Sequence, residues 1–178
     1  MALRQIRIEG DPILRKISKE VKEVTPRTSE LIDDMIESLQ HYNGVGLAAV
    51  QVGILKRLCI ININPEDLDM EKVTVTEGYA VHTDGKDLVV INPEIIVDDE
   101  ETQTGNEGCL SLPKKWGVVT RPMRLTLKAF DRELKPYEVK AEGLLARAIC
   151  HECEHMDGKL YIDKVEGPVH TDDEDEEE

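Results

Sequence analysis

The sequence predicts a single α+β domain in which antiparallel strands and two amphipathic helices share one core. The 178 residues suit one compact domain and are too few for two independent enzymes. Apolar residues recur at helical spacing in two segments, whereas other segments are short and β-branched or alternate in polarity. Only 3% of the residues are aromatic, so Leu, Ile, Val and Ala must fill the core.

The first predicted helix begins after Thr25, which suits the N-cap position, with Pro26 at the first helical position. Its apolar pattern ends at Asn43. Strand-like segments follow at residues 57–63, 87–97, 124–130 and 136–140. Between the first two of these segments, residues 64–86 are polar, and we expect a long connection or a hairpin there.

A second helix opens at Glu142 or Gly143, and Gly158 is expected to end it. The C-terminal segment that follows contains a proline and an acidic run, which cannot bury enough apolar surface to fold. We therefore expect a catalytic domain over residues 1–166 and a disordered acidic tail over residues 167–178.

The net charge of -15 argues against a nucleic-acid partner and against binding to an anionic membrane, because phosphate contacts need clustered Lys or Arg. Seven of the 37 acidic residues occupy the last seven positions, and the acidic excess persists without them. No apolar run resembles a signal peptide or a membrane span, so the expected location is the cytoplasm. The four cysteines would stay reduced there.

The second helix contains the motif HECEH, which is typical of a metal-dependent hydrolase. His151 and His155 are four residues apart, so both imidazoles project from one helix face and can bind the same ion. Glu152 is offset by one position and lies beside the metal, where a carboxylate can act as general base and acid. Chance matches to this motif occur on surface helices rich in Glu and His.

A catalytic site of this kind usually has three protein ligands, so one more is needed. Many zinc proteases place a histidine three residues after the glycine that follows the motif, but that position is Tyr161 here. His170 belongs to the expected tail. The third ligand is therefore expected upstream, and Cys109 in EGCLSLP is the candidate. A buried structural thiol is the alternative interpretation of that cysteine.

A third segment, GVGLAAVQVG, combines small residues with Gln51. It is not a phosphate loop, since the Lys-Ser or Lys-Thr of such loops is missing. The small residues would allow another backbone to approach closely, and the amide of Gln51 could polarise a carbonyl group. A helix end that leads into a strand is the simpler interpretation.

Taken together and in this order, GVGLAAVQVG, EGCLSLP and HECEHMDG resemble the three signature motifs of the peptide deformylases. GDPILRK near the N-terminus and the strand VVINPEI are also similar to that family. The resemblance covers roughly Ile6 to Val165. It implies an α+β fold in which antiparallel strands wrap around a central metal-bearing helix. It also implies an enzyme that removes the formyl group from the N-terminal methionine of nascent polypeptides and releases formate.

The resemblance assigns roles to particular residues. Cys109, His151 and His155 would bind the metal, Glu152 would be the general base and acid, and Gln51 with the backbone N–H of Leu110 would form the oxyanion hole. The implied metal is Fe²⁺, for which Zn²⁺, Ni²⁺ or Co²⁺ could substitute. The implied partners are N-formylmethionyl peptides at the ribosome.

The resemblance also implies where the substrate binds. The methionine side chain would enter an apolar pocket near Val45, Gly46, Leu144 and Ala148. The peptide backbone would pair in extended form with the chain at Gly44, Val45 and Gly46 and at Glu107 and Gly108. Ordinary core packing is the competing interpretation for each apolar member.

Four positions depart from the usual pattern of the family: Val50 replaces Pro, Cys150 replaces Gln, Glu154 replaces Asp and Met156 replaces Leu. None of these departures removes a ligand, the base or an oxyanion donor. The extra methylene of Glu154 is expected to affect how neighbouring side chains are oriented, and so the rate rather than the type of reaction.

Two other functions compete with deformylation. One is a zinc peptidase of the H-E-x-x-H type, which would use the same water activation on internal peptide bonds. The other is a non-enzymatic module whose structural zinc is held by Cys150 and Cys153 together with Cys59 or a histidine.

Overall fold

The structure is a computed structural model that describes residues 2–63 and 87–172. In these residues the chain forms two α-helices, α1 and α2, and eight strands, β1 to β8. In chain order they are α1 Pro26–His41, β1 Gly46–Ala48, β2 Leu58–Ile61, β3 Leu88–Val97, β4 Thr102–Cys109, β5 Leu112–Pro122, β6 Arg124–Phe130, β7 Pro136–Glu142, α2 Leu144–Met156 and β8 Glu166–Thr171.

The strands form two antiparallel sheets. The large sheet has the order β1-β2-β3-β6-β7, and the small sheet has the order β4-β5-β8. Among the described strands, β1 and β4 each lie at an edge of their sheet. The predicted strands at 57–63, 87–97, 124–130 and 136–140 are confirmed as β2, β3, β6 and β7.

Helix α1 covers one face of the large sheet. Thr25 caps it as predicted, since its side chain accepts a hydrogen bond of 3.2 Å from the backbone N–H of Thr28. The apolar stripe of Leu31, Ile32 and Met35 is buried and packs in one cluster with residues of β1 and β2. Burial of this stripe, rather than helix propensity, supplies most of the stability of such a helix.

Helix α2 lies at the centre of the molecule, which confirms the predicted fold class. Its residues contact strands of both sheets, and His151, Glu152 and His155 of HECEH are buried. The helix ends at Met156, and Gly158 follows with φ +71°, a left-handed conformation that favours glycine. The central position of α2 is what places its histidines inside the protein.

Strand β3 crosses the middle of the large sheet although Pro93 interrupts it. The register with β6 shifts between Ile91 and Glu94, and Asn92 has φ +49°. A bulge of this kind removes the proline nitrogen from the hydrogen-bond ladder, which allows a proline inside a central strand.

The expected boundary after residue 166 is wrong. Residues 167–171 belong to β8, which pairs with β5 in the register Lys115↔Thr171 and Trp116↔His170. The rings of Trp116 and His170 also stack, with centroids 4.2 Å apart. Backbone hydrogen bonds at a sheet edge need little apolar burial, so the polar composition of this segment did not predict its structure.

Two expectations fall on residues without a described structure. The connection or hairpin expected at residues 64–86 lies outside the described residues, and so do residues 173–178 of the expected acidic tail. Within residues 2–63 and 87–172, no helix has the length and apolar character that crossing a membrane requires.

Candidate metal centre

Three side chains from two elements meet at the predicted metal site. Cys109 ends β4, and His151 and His155 lie one turn apart on α2. One ligand atom from each residue lies within 4.8 Å of the other two, and Cys109 Sγ is 3.4 Å from His155 Nε2. Two imidazoles and a thiol at this spacing fit a divalent transition metal with one position left for water or substrate.

His151 is oriented by Glu107. Its Nδ1 lies 2.7 Å from Glu107 Oε1, so Nδ1 donates to the carboxylate and Nε2 is left to bind a metal. Burial by itself raises the pKa of Glu107, but hydrogen bonds from Arg121 and His151 outweigh it and hold that pKa well below its usual range. Glu107 is therefore ionised at neutral pH and fixes the tautomer of His151.

The general-base candidate, Glu152, is buried beside the ligands. Its Oε1 is 4.0 Å from His151 Nε2, and its Oε2 has no hydrogen-bond partner. Burial raises the pKa of Glu152 to about 7; the charge of His151 opposes this shift and the charge of Glu107 adds to it. An unpartnered carboxylate oxygen next to a metal site is suited to accept and donate a proton.

Gln51 reaches the site from the short helical turn that follows β1. Its Oε1 accepts a 2.9 Å hydrogen bond from the backbone N–H of Ala48, which fixes which end of the amide is the donor. Its Nε2 then donates to Ser111 Oγ at 3.1 Å and points to Cys109 Sγ at 3.4 Å. The amide N–H group predicted as a carbonyl-polarising donor thus lies beside the thiol of Cys109, a candidate ligand.

A buried network of ion pairs surrounds Glu107, the carboxylate that contacts His151. Nε and Nη2 of Arg121 each donate to Glu107 at 2.9 Å, and Nη1 of Arg147 donates to it at 2.6 Å. Arg121 Nη1 also lies 2.7 Å from Glu154 Oε1, and Lys164 pairs with the same carboxylate. Among the described residues, Arg121 links Glu154 to Glu107 and so to His151.

A cavity of about 880 Å³ opens onto this centre. Its walls include every residue predicted to bind substrate, together with Leu110, Cys109, His151 and Glu152. The predicted substrate-binding residues are Gly44, Val45, Gly46, Glu107, Gly108, Leu144 and Ala148. Gln51 and His155 are not among the lining residues, and both are buried. The predicted residues thus line one cavity or, in the case of Gln51 and His155, contact Cys109 in its wall.

Several residues of the site were not predicted from the sequence. The carboxylate of Glu107 holds His151, whereas only its backbone was expected to take part. Arg121 and Arg147 were assigned no role, and Trp116 and Asp172, which also had none, line the cavity. The alternation of side chains along a strand, which puts Glu107 on the same side as Cys109, is the signal that could have identified the first of these.

The structure does not favour the structural zinc site. Cys59, Cys150 and Cys153 are buried in the core around α2, and burial raises the pKa of Cys150 to about 11. Within residues 2–63 and 87–172, the metal-type cluster of three or more His, Cys, Asp or Glu side chains is the one at Cys109. Unlike the three core thiols, Cys109 is partly exposed.

The fold and the candidate site together indicate a class of protein: a metallohydrolase, with a candidate metal centre formed by one strand cysteine and two helix histidines. Comparisons with known proteins then identify the family. The family model for polypeptide deformylase matches residues 3–170. A peptide deformylase from Lachnoclostridium phytofermentans is 52% identical over 100% of both chains. The chain belongs to the polypeptide deformylase family.

Solved structures agree with this assignment. The peptide deformylase from Thermotoga maritima superposes with a TM-score of 0.79 at 35% identity, covering 94% of this chain and 100% of that one. The enzyme from Ehrlichia chaffeensis gives a TM-score of 0.81 at 34% identity over 93% and 89% of the two chains. These comparisons do not favour the zinc peptidase alternative.

Proposed function

We propose that this chain hydrolyses the formamide bond of N-formylmethionine at the start of newly made polypeptides and releases formate. One observation carries the proposal: the unpartnered oxygen of Glu152 lies beside the Cys109, His151 and His155 cluster, on the wall of a cavity that can admit a peptide end. The relatives named peptide deformylases support the same reaction.

Cys109, His151 and His155 are the proposed metal ligands. Their donor atoms are close enough to share one ion, and the Glu107 contact leaves His151 Nε2 available for it. A divalent metal bound there would supply Lewis acidity for hydrolysis. Fe²⁺ is the proposed native metal because of the family resemblance, and imidazole and thiolate donors also accept Zn²⁺, Ni²⁺ or Co²⁺.

The proposed chemistry of the protein's own groups follows from their positions. Glu152 Oε2 takes a proton from the attacking water and returns it to the nitrogen of the departing methionine. The Nε2 group of Gln51 and the backbone N–H of Leu110 donate to the formyl oxygen as negative charge develops on it. Since Ala48 fixes the amide of Gln51, this donor needs little reorientation during the reaction.

The proposed binding mode uses both sheet edges beside the cavity. Gly44, Val45 and Gly46 on one side and Glu107 and Gly108 on the other line the cavity, next to the edge strands β1 and β4. An extended peptide can pair with such edges through its backbone, which explains how one enzyme would accept many sequences. We propose that the methionine side chain lies in the apolar part of the cavity near Val45, Gly46, Leu144 and Ala148.

The proposed place of action follows from the proposed substrate. Formylated chain ends become available as polypeptides emerge from the ribosome, so we infer action on nascent chains at the ribosome in the cytoplasm. This role needs an open cavity rather than an enclosed one, because the rest of the polypeptide must extend away from the site.

Formate release from formyl-Met-Ala-Ser by anaerobically purified protein tests the proposal, with acetyl-Met-Ala-Ser as the control substrate. Glu152→Gln preserves side-chain size and is expected to lower kcat by about 10²- to 10⁴-fold while metal content is retained. Glu138→Gln, an exposed position on β7, is the matched control and should leave kcat unchanged. Peptide-bond cleavage without formate release would instead support the zinc peptidase.

A further inference from the structure

Arg147 is a buried cation in the same helix as the metal ligands. It lies four residues before His151, so both side chains leave the same face of α2. Only 7% of the residue is exposed. Burying a guanidinium group is costly unless its charge and its N–H groups find partners, so the contacts of Arg147 indicate why the position carries an arginine.

The contacts of Arg147 lead directly to a ligand. Its Nη1 donates to Glu107 Oε2 at 2.6 Å and to the backbone oxygen of Val119 at 3.0 Å. The other oxygen of the same carboxylate, Oε1, lies 2.7 Å from His151 Nδ1. Arg147 and His151 thus bind the two oxygens of one carboxylate, and Val119 ties Arg147 to strand β5.

We propose that Arg147 is a positioning residue for the metal ligand His151 and that it acts through Glu107. Arg121 restrains Glu107 from β5, but it is shared with Glu154. Arg147 instead restrains Glu107 from α2, the element that carries His151. The distance between the carboxylate and the imidazole is therefore set from within one rigid helix, which fixes the direction of His151 Nε2.

Gly105 supports this interpretation independently. A Cβ at Gly105 would lie 3.3 Å from Arg147 Nη2, closer than most Cβ contacts. Gly105 pairs with Val119, whose backbone oxygen accepts from Arg147. The absence of a side chain on β4 at this point gives the guanidinium room to lie against the strands while it holds Glu107.

This inference rests on the proposed metal site, but its test requires no deformylation. Metal-free protein is titrated with Co²⁺, and both the dissociation constant and the visible spectrum of the cobalt complex are recorded. Co²⁺ reports the geometry of thiolate and imidazole ligands through that spectrum. If the wild-type chain gives no cobalt complex with a thiolate band, the proposed metal site itself is wrong.

Arg147→Met removes the charge and retains most of the side-chain volume. We expect Co²⁺ affinity to fall by about 10- to 100-fold and the spectrum to change. Losing a residue that orients a metal ligand has effects of that size. Arg147→Lys keeps a donor for Glu107 and should restore part of the affinity. Unchanged affinity and an unchanged spectrum in Arg147→Met would overturn the proposal.

Arg57→Met is the matched control. Arg57 also contacts α2, through the backbone oxygen of Met156 at 3.4 Å and Asp157 Oδ1 at 3.0 Å, but not through Glu107. Its loss should leave Co²⁺ affinity and the spectrum as in the wild type. An equal fall in affinity in this variant would show that any loosening of α2 weakens the site, and the specific role of Arg147 would be rejected.

Gly105→Val provides a second route to the same result if Arg147→Met does not fold. It keeps every charge, but its Cβ would lie 3.3 Å from Arg147 Nη2, so the guanidinium group must shift; Val is well accepted in strands. We expect weaker Co²⁺ binding and a shifted spectrum. Wild-type affinity and an unchanged spectrum in Gly105→Val would contradict the proposal.

Discussion

Gly46 lies against the carboxylate of Glu152 with no room for a side chain between them. A Cβ at this position would lie 2.5 Å from Glu152 Oε1 and 2.6 Å from its Cγ. Real Cβ atoms do not approach so closely, so any other residue here would force Glu152 to move. Glycine at this position thus determines where the proposed general base can lie.

Gly46→Ala is predicted to lower kcat strongly while leaving the ligands in place. The added methyl displaces the carboxylate of Glu152, and a displacement of about 1 Å can cost about 10²-fold in rate. Steady-state formate release and metal content measured on the same sample check this. A variant that retains wild-type kcat would show that the position of Glu152 is not critical.

At the residue scale, the sequence predicted the residues whose motifs carry chemistry. The spacing within HECEH identified His151, Glu152 and His155, because helix periodicity alone puts the two histidines on one face. Arg147 belongs to the same face but has no motif to distinguish it from a surface arginine. Its proposed role depends on a contact with Glu107, which lies 40 residues away in the chain.

Gly158 ends α2 and also packs against a distant segment of backbone. Its φ is +71°, and a Cβ there would lie 2.5 Å from the backbone oxygen of Arg15. Gly167 has a similar φ of +82°, but nothing lies within 4 Å of its Cβ position. Comparing substitutions at the two glycines therefore separates the free-energy cost of a left-handed side chain from the cost of a steric clash.

Gly158→Ala is predicted to destabilise the protein more than Gly167→Ala. A left-handed alanine costs about 1–2 kcal/mol at either position. The clash with the Arg15 carbonyl should add about 1–3 kcal/mol at Gly158 only. Urea unfolding of both variants measures the difference, and equal destabilisation would show that the backbone near Arg15 shifts freely.

Asp34 ties the N-terminal segment to α1. Its carboxylate accepts from the backbone N–H of Ala2 at 2.7 Å and from Arg4 Nε at 2.9 Å. Burial by itself raises the pKa of Asp34, but these hydrogen bonds outweigh that effect and lower it. A lowered pKa means that folding favours the charged carboxylate, so Asp34 stabilises the fold above its unfolded pKa of about 4.

Asp34→Asn is predicted to reduce stability at pH 7 by about 1–3 kcal/mol, since it weakens hydrogen bonds to a buried charged group. The stabilisation by Asp34 is lost as the pH falls below about 4 and through the lower folded pKa, so the two proteins should converge in acid. Urea unfolding from pH 7 to pH 3 measures this convergence. A constant difference across that range would contradict the assignment.

At the element scale, strands with apolar alternation were predicted and the small sheet was not. Strands β4 and β8 are largely exposed, so no apolar face marks them in the sequence. They become strands because β5 supplies backbone partners along both of its sides. Pairing between segments that are distant in the chain cannot be read from local periodicity.

In the whole molecule, the candidate metal centre joins the small sheet to the central helix. Cys109 comes from β4, whereas His151 and His155 come from α2, which also packs against the large sheet. A metal bound by all three would link these parts in the folded state only. Metal binding should therefore stabilise the entire fold.

Removal of metal with a chelator is predicted to lower Tm by about 5–10 °C. A ligand at 100 times its Kd contributes about 2.7 kcal/mol, and each kcal/mol shifts Tm by about 2–4 °C for a domain of this size. Cys109→Ser should abolish the difference between metal-loaded and metal-free protein. Cys150→Ser, at a buried thiol outside the cluster, should keep it; loss of the difference in Cys150→Ser alone would favour the structural zinc site.

The sequence by itself determined the class of fold and pointed to the candidate ligands and the proposed base, because helical and strand periodicity and three short motifs are local properties of the chain. Only the tertiary structure showed that Glu107 contacts both His151 and Arg147, that Gly46 lies against Glu152, and that residues 167–171 pair with the small sheet. Each of these features is a contact between segments distant in the chain. Such contacts depend on how the sheets and α2 pack together, which no single segment specifies.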